Sequence, residues 1–146
     1  MAPWTYDNTL ILSTNQIPTG VIGFVYIITH TPSGKKYIGK KNLYNERRIP
    51  MGKRELKAWT KPGTKPKKKV SIKESNWKSY YSSNAWILEQ VKNGHDADFK
   101  REILQWCYTK IDLTYQECRY QFIHNVLKDD NYLNDNILGK FYKGKV

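Results

Sequence analysis

One stretch of nineteen residues limits the folds open to this chain more than any other. Residues 22–30 read Ile-Gly-Phe-Val-Tyr-Ile-Ile-Thr-His, a run of β-branched and aromatic side chains that predicts a strand. Thr31-Pro32-Ser33-Gly34 follows as a turn signal, and Lys36 to Lys40 predicts the returning strand. A two-residue loop at Pro32-Ser33 sets Thr31 opposite Gly34 and Ile28 opposite Tyr37. Side chains alternate along a strand, so Tyr26 shares the face of Ile28, and both Tyr26 and Tyr37 project to one side. A slip of one residue would separate the two phenols.

The rest of the chain supplies helices to cover that hairpin. Ser82 or Ser83 predicts the cap of a helix running to about Asn93, closed by Gly94, with Trp86, Ile87, Gln90 and Val91 on one face. Residues 98–107 predict a further strand. Thr114 predicts the start of a helix to about Leu127, with Leu113 and Cys118 as a hydrophobic staple. Residues 1–20, broken by Pro3, Pro18 and Gly20, read as an irregular lead-in. Residues 42–58 have mixed helical character, residues 128–136 are turn-like, and residues 137–142 predict a last short strand. The expected class is α+β, one small sheet with helices packed on it, in a single domain over residues 21–146. A length of 146 residues is right for one core.

Charge is concentrated. Residues 40–78 hold fourteen Lys/Arg and three Glu, a net +11 of the chain's +12. Such a segment points to a polyanionic partner, with nucleic acid leading. It has no apolar helical face to enter a membrane. Residues 60–69, Thr-Lys-Pro-Gly-Thr-Lys-Pro-Lys-Lys-Lys, cannot pack a core and read as a basic loop that orders on a partner.

Several chemistries are excluded. Cys107 and Cys118 make neither a disulfide framework nor a zinc site. His30, His95 and His124 have no ligand spacing, though His124 falls seven residues after Glu117 on the same helix face. There is no P-loop, no His-Glu-x-x-His and no Gly-x-Ser-x-Gly string. The first residues lack the basic and apolar regions of a signal peptide, and no window is long enough to span a bilayer, so a reduced cytoplasmic setting is expected.

Phe24-Val25-Tyr26, then Tyr37-Ile38-Gly39, then Arg47 and a distant Glu117 form an ordered series that resembles the GIY-YIG nuclease family. The first tripeptide departs from the family's but keeps its tyrosine. The resemblance covers roughly residues 22–142, with residues 49–76 as a basic insertion. It implies a three-stranded antiparallel sheet flanked by helices, and a metal-dependent endonuclease acting on DNA. Tyr26 is then the general base, its phenolate favoured by Lys36, Lys40, Lys41 and Arg47 nearby in sequence. Tyr37 orients the water or the scissile phosphate, and Gly39 lets the backbone approach that phosphate. Arg47, with Arg48 as the one-position alternative, carries transition-state charge. Glu117 holds Mg²⁺ or Mn²⁺, although Thr114-Tyr115-Gln116-Glu117 also reads as a capping box. Asn134, or else Asn136, is the site asparagine. Lys40, Lys41, Lys65, Lys67, Lys68 and Lys69 join Arg48 as substrate-binding cations. The resemblance also suggests a phage or mobile-element source, hence a host cytoplasm, and leaves the insertion to grip DNA because the chain ends at Val146. The rival expectations are a catalytically silent nucleic-acid-binding protein of this fold, and a protein-binding role for the basic loop.

Overall fold

A computed structural model describes residues 1–59, 63 and 68–146. These fall into two compact units, one of residues 1–43 and 76–146, the other of residues 44–75.

The first unit is built on a five-stranded mixed sheet, not a three-stranded one. Its strands are β1 (Trp4–Tyr6), β2 (Thr9–Ile11), β3 (Gly23–His30), β4 (Lys36–Asn42) and, later in the chain, Phe99–Cys107, in the spatial order β2-β1-(Phe99–Cys107)-β3-β4. The expected irregular lead-in therefore supplies two strands. They form because Trp4 and Ile11 bury fully against the sheet's aromatic cluster, and because Asp7 and Asn8 take the positive φ of a tight turn. Trp4–Tyr6 runs parallel to Phe99–Cys107, which pairs antiparallel with β3.

The β3–β4 hairpin has the expected register, with Ile28 opposite Tyr37 and Tyr26 opposite Gly39. Its tip is wider than a two-residue loop: the Gly34 N–H closes on the His30 carbonyl at 2.8 Å, with Gly34 at φ +76°. β3 is central and buried on both faces. Phe24, Tyr26 and Ile28 enter one core cluster with Trp4, Trp77 and Trp106; Val25 and Ile27 enter a second with Leu113, Val126 and Leu127.

The second unit starts with β5 (Tyr44–Pro50), then α1 (Lys53–Lys57) and β6 (Lys68–Glu74); β5 and β6 pair as an antiparallel two-stranded ribbon. The mixed helical character expected over 42–58 is thus mostly strand. Alternation of Asn45, Arg47 and Ile49 against Glu46 and Arg48 suits a two-sided ribbon better than a helix face. Lys68 and Lys69 of the expected basic loop belong to β6; residues 60–62 and 64–67, including Lys65 and Lys67, lie outside the described residues.

The chain then returns to the first unit with α2 (Ala85–Lys92), β7 (Phe99–Cys107), α3 (Lys110–Ile123), β8 (Asn136–Ile137) and β9 (Phe141–Tyr142). Asn84, not a serine, caps α2, its Oδ1 accepting from the Ile87 N–H at 3.1 Å. Thr109, not Thr114, caps α3 through the Asp112 N–H at 3.1 Å. Leu113 is consequently a buried helical residue rather than half of a staple. The expected last strand is a minimal hairpin of β8 and β9.

Candidate active site

β4 is an edge strand, and its outward backbone groups decide where the site lies. Three outward N–H groups, two residues apart, each find a different partner. Lys36 donates to the Asn131 carbonyl at 2.8 Å, Ile38 to Asn134 Oδ1 at 3.1 Å, and Lys40 to the Glu117 carboxylate. The Ile38 carbonyl accepts from Asn134 Nδ2 at 2.8 Å and from Gln121 Nε2 at 3.1 Å. The edge is thereby closed to further strands, and Glu117 is fixed beside the Tyr37-Ile38-Gly39 backbone.

Thr109 as the cap puts Glu117 two turns inside α3, which removes the capping-box reading for its carboxylate. Gln121 lies one turn further along the same face. Around them is a polar cavity of about 650 Å³, whose lining includes Tyr37, Lys40, Ser83, Glu117, Gln121, Asp135 and Asn136. Burial pushes the Glu117 carboxyl above its usual range, and the Lys40 charge and N–H partly offset this.

The two motif phenols sit together on one face as expected. Their ring centroids are 6.4 Å apart with planes inclined by 30°. Tyr37 fronts the cavity, its hydroxyl 3.5 Å from Ser83 Oγ. Tyr26 lies behind, only 1% exposed, with its hydroxyl hydrogen-bonded to Tyr80. A bulge sits directly beside it: Val25 pairs with Gln105 and Tyr26 with Ile103, so Leu104 is the extra residue on β7. Gly39 is the floor on which Tyr26 rests. A methyl group at Gly39 would come within 2.7 Å of Tyr26 Cζ and 3.1 Å of Tyr37 Cε1. The glycine thus makes room for a phenol, a reason that the sequence pattern does not reveal.

The expected cationic activation of Tyr26 is not what the free protein displays. Burial, with smaller contributions from Tyr80 and Tyr37, pushes Tyr26 well above the ordinary tyrosine value, and burial raises Tyr37 too. The nearby lysines are engaged elsewhere. Lys40 Nζ donates to Thr114 Oγ1 at 2.8 Å; Lys41 Nζ donates to Asn76 Oδ1 at 2.7 Å and lies 4.1 Å over the Tyr80 ring; Lys36 sits over Tyr132.

The sequence model described as "Putative endonuclease segE, GIY-YIG domain" matches residues 4–137. The chain belongs to the GIY-YIG family. No curated protein and no solved structure matches it. The match begins at Trp4, so the two N-terminal strands lie inside the GIY-YIG region here.

Other expected residues divide clearly. Asn134 is 2% exposed with both ends of its amide spent on Ile38, so it straps β4 in place; Asn136 lines the cavity and accepts from the Gly139 N–H at 2.9 Å. His124 caps α3, and its Nδ1 lies 3.0 Å from the Tyr132 hydroxyl. Arg47 and Arg48 are exposed on opposite faces of the β5–β6 ribbon in the second unit.

Sequence reasoning missed Gln121, Tyr80 and Arg101. A glutamine four residues after Glu117 was a usable signal. Arg101 was not readable, because alternation on β7 points it inward like its apolar neighbours. It is 1% exposed, and its guanidinium donates to the carbonyls of Ala2, Lys78 and Tyr80 between the rings of Trp4 and Tyr81. Burial pulls it down to about 10, which still leaves it charged at neutral pH. It ties the N-terminal strand and the Tyr80 backbone to the sheet.

Proposed function

We propose that this GIY-YIG protein is a metal-dependent endonuclease that hydrolyses DNA phosphodiester bonds at the β4 edge. The observation that carries the reading is Glu117, a half-buried carboxylate anchored by the Lys40 N–H and facing a polar cavity beside two stacked phenols.

Among the described residues no three His, Cys, Asp or Glu side chains converge as a metal cluster. That suits an ion of the Mg²⁺ or Mn²⁺ type, which binds through one or two carboxylates and completes its shell with waters and substrate phosphate. A carboxyl whose burial is only partly compensated favours a cation beside it. Glu117 would hold the ion, in a cavity that Asp135 and Asn136 also line. When bound, such an ion supplies Lewis acidity to the phosphate and its leaving oxygen.

The chain's own groups divide the remaining work. Tyr37 presents its hydroxyl to the cavity and orients water or phosphate there. Tyr26, once its own phenol proton has left to solvent, takes the proton of the attacking water, and Tyr80, hydrogen-bonded to it, fixes the direction of its oxygen. Burial keeps Tyr26 neutral in the free protein, so its basicity depends on positive charge gathering at Glu117 and Lys40 with substrate. Lys40 releases Thr114 to meet a phosphate oxygen. Base help of this kind contributes about 10²- to 10⁴-fold in rate.

Plasmid cleavage by wild type and Glu117→Gln, with Mg²⁺ or EDTA, tests the reading. Wild type should cut only with the ion. The variant should not cut, yet should melt no lower than wild type, because it removes a charge whose burial is unfavourable. Normal turnover by Glu117→Gln would defeat the assignment.

A further inference from the structure

The β5–β6 ribbon has two unlike faces. The register pairs Asn45 with Lys73, Arg47 with Ser71 and Ile49 with Lys69, and these six share one face. That face has three cations, an amide and a hydroxyl, and no acid. The opposite face carries Glu46 and Glu74 with Arg48 and Lys68, and exposes Val70 (56%) and Ile72 (64%). Lys69 is committed to Glu55 at 2.7 Å, which leaves Asn45, Arg47, Ser71 and Lys73 as the acid-free centre of the basic face.

We propose that this ribbon is a reading head for duplex DNA, entering the major groove with the Asn45–Arg47–Ser71–Lys73 face toward the base edges. The choice of duplex DNA rests on the nuclease function proposed above. Geometry and chemistry then select the groove. A two-stranded ribbon fits a major groove about 12 Å wide. Alternate residues on a strand lie about 6.8 Å apart, close to two base-pair steps of about 3.4 Å. Asn45 and Arg47 therefore meet base pairs two steps apart. Arginine and lysine pair with guanine O6 and N7, asparagine with adenine N6 and N7, and serine with either. The mixed charges of the opposite face make it the poorer match to a polyanion. A-form RNA is the wrong partner, because its major groove is too deep and narrow for side chains to read. An isolated two-stranded ribbon is marginal in water, and seating it between two phosphate walls stabilises it.

The test is selection of bound duplexes from a randomised DNA pool by the full chain in EDTA, so that binding is read without cutting. Wild type should enrich a short motif. Arg47→Ala and Asn45→Ala should each lose discrimination at one motif position, by about 5- to 150-fold. Their affinity for random duplex and their circular dichroism should stay near wild type, which separates lost reading from lost folding. Lys68→Ala, on the opposite face, should weaken all sequences alike and leave the motif intact. No wild-type motif, a motif unchanged in both face variants, or stronger binding to duplex RNA would each overturn the proposal. A motif that survives in a protein unable to cut plasmid with Mg²⁺ supports the reading head and removes only the nuclease function. Plasmid cutting without any motif does the reverse.

Discussion

The two units of this protein solve different problems with different residues. Tyr44–Ser75 holds eleven Lys/Arg and three Glu, whereas the larger unit holds fourteen and ten. Both aromatic and aliphatic core clusters belong to the larger unit, and among its described residues the smaller one buries only Ser75. The candidate site thus sits where packing can hold a hydroxyl or carboxylate in one place. The excess positive charge sits in the unit whose described side chains are mostly exposed. The two proposals together divide the labour: the sheet edge would set the rate, and the ribbon would set affinity and preference.

The sharpest way to break that division is Tyr26→Phe. It removes one oxygen from a buried ring and leaves the ribbon untouched. Cleavage under saturating DNA should fall about 10²- to 10⁴-fold, with an unchanged dissociation constant measured in EDTA. Equal loss of both would mean that catalysis and grip are one surface.

The converse experiment is replacement of Lys68, Lys69 and Lys73 by Ser. Each cation lost from the bound duplex should lower the slope of log affinity against log salt by up to about 0.9. Turnover at saturating DNA should stay close to wild type. An unchanged slope would take the ribbon out of DNA binding and end the comparison.

Gly39→Ala probes the larger unit alone. The added methyl presses on Tyr26 and Tyr37, a contact that the rings relieve only by moving. Overpacking of this sort costs about 1–3 kcal/mol, readable as a lower urea midpoint. Cleavage should drop by more than the stability change explains, because the displaced ring is Tyr26. A variant as stable and as active as wild type would show that Gly39 is not the floor of the site.

The hairpin was legible in the sequence because turn chemistry and strand alternation both act over short range, and they fix Tyr26 and Tyr37 on one face. The N-terminal strands were not. Three residues such as Trp4–Tyr6 have too little local preference to announce a strand, and they form one by pairing with Arg101–Ile103 far along the chain. Glu117 lines the polar cavity, but its helix was started at Thr114 instead of Thr109; both threonines satisfy the same local pattern, and the Leu113 burial favours Thr109. Asn134 was named from the family pattern, and the structure shows its amide bonded to the Ile38 backbone. An edge strand needs partners for its outward backbone, and no sequence pattern says which side chain will answer. The depression expected for the Tyr26 proton failed likewise, since neighbours in sequence reveal charge but not burial.

The smallest expected effect tests that burial directly. Tyr26 is raised above its ordinary value of 10.0 in the folded protein, whereas in the unfolded chain it titrates near that value. Below pH 10 both states carry the proton, and the stability associated with this group is fully present. As pH rises past 10 the unfolded chain loses the proton first, so stability falls until the folded pKa is reached. One such group accounts for at most about 1.4 kcal/mol per pH unit. Tyr37, also raised by burial, adds in the same direction. Urea midpoints at pH 9, 10 and 11 should therefore decline in wild type, and the decline should be shallower in Tyr26→Phe. Surface tyrosines cancel in the difference because both proteins carry them. Parallel curves for the two proteins would mean that Tyr26 ionises as easily folded as unfolded, and its phenol would then be ready as a base without charge gathered at Glu117 and Lys40.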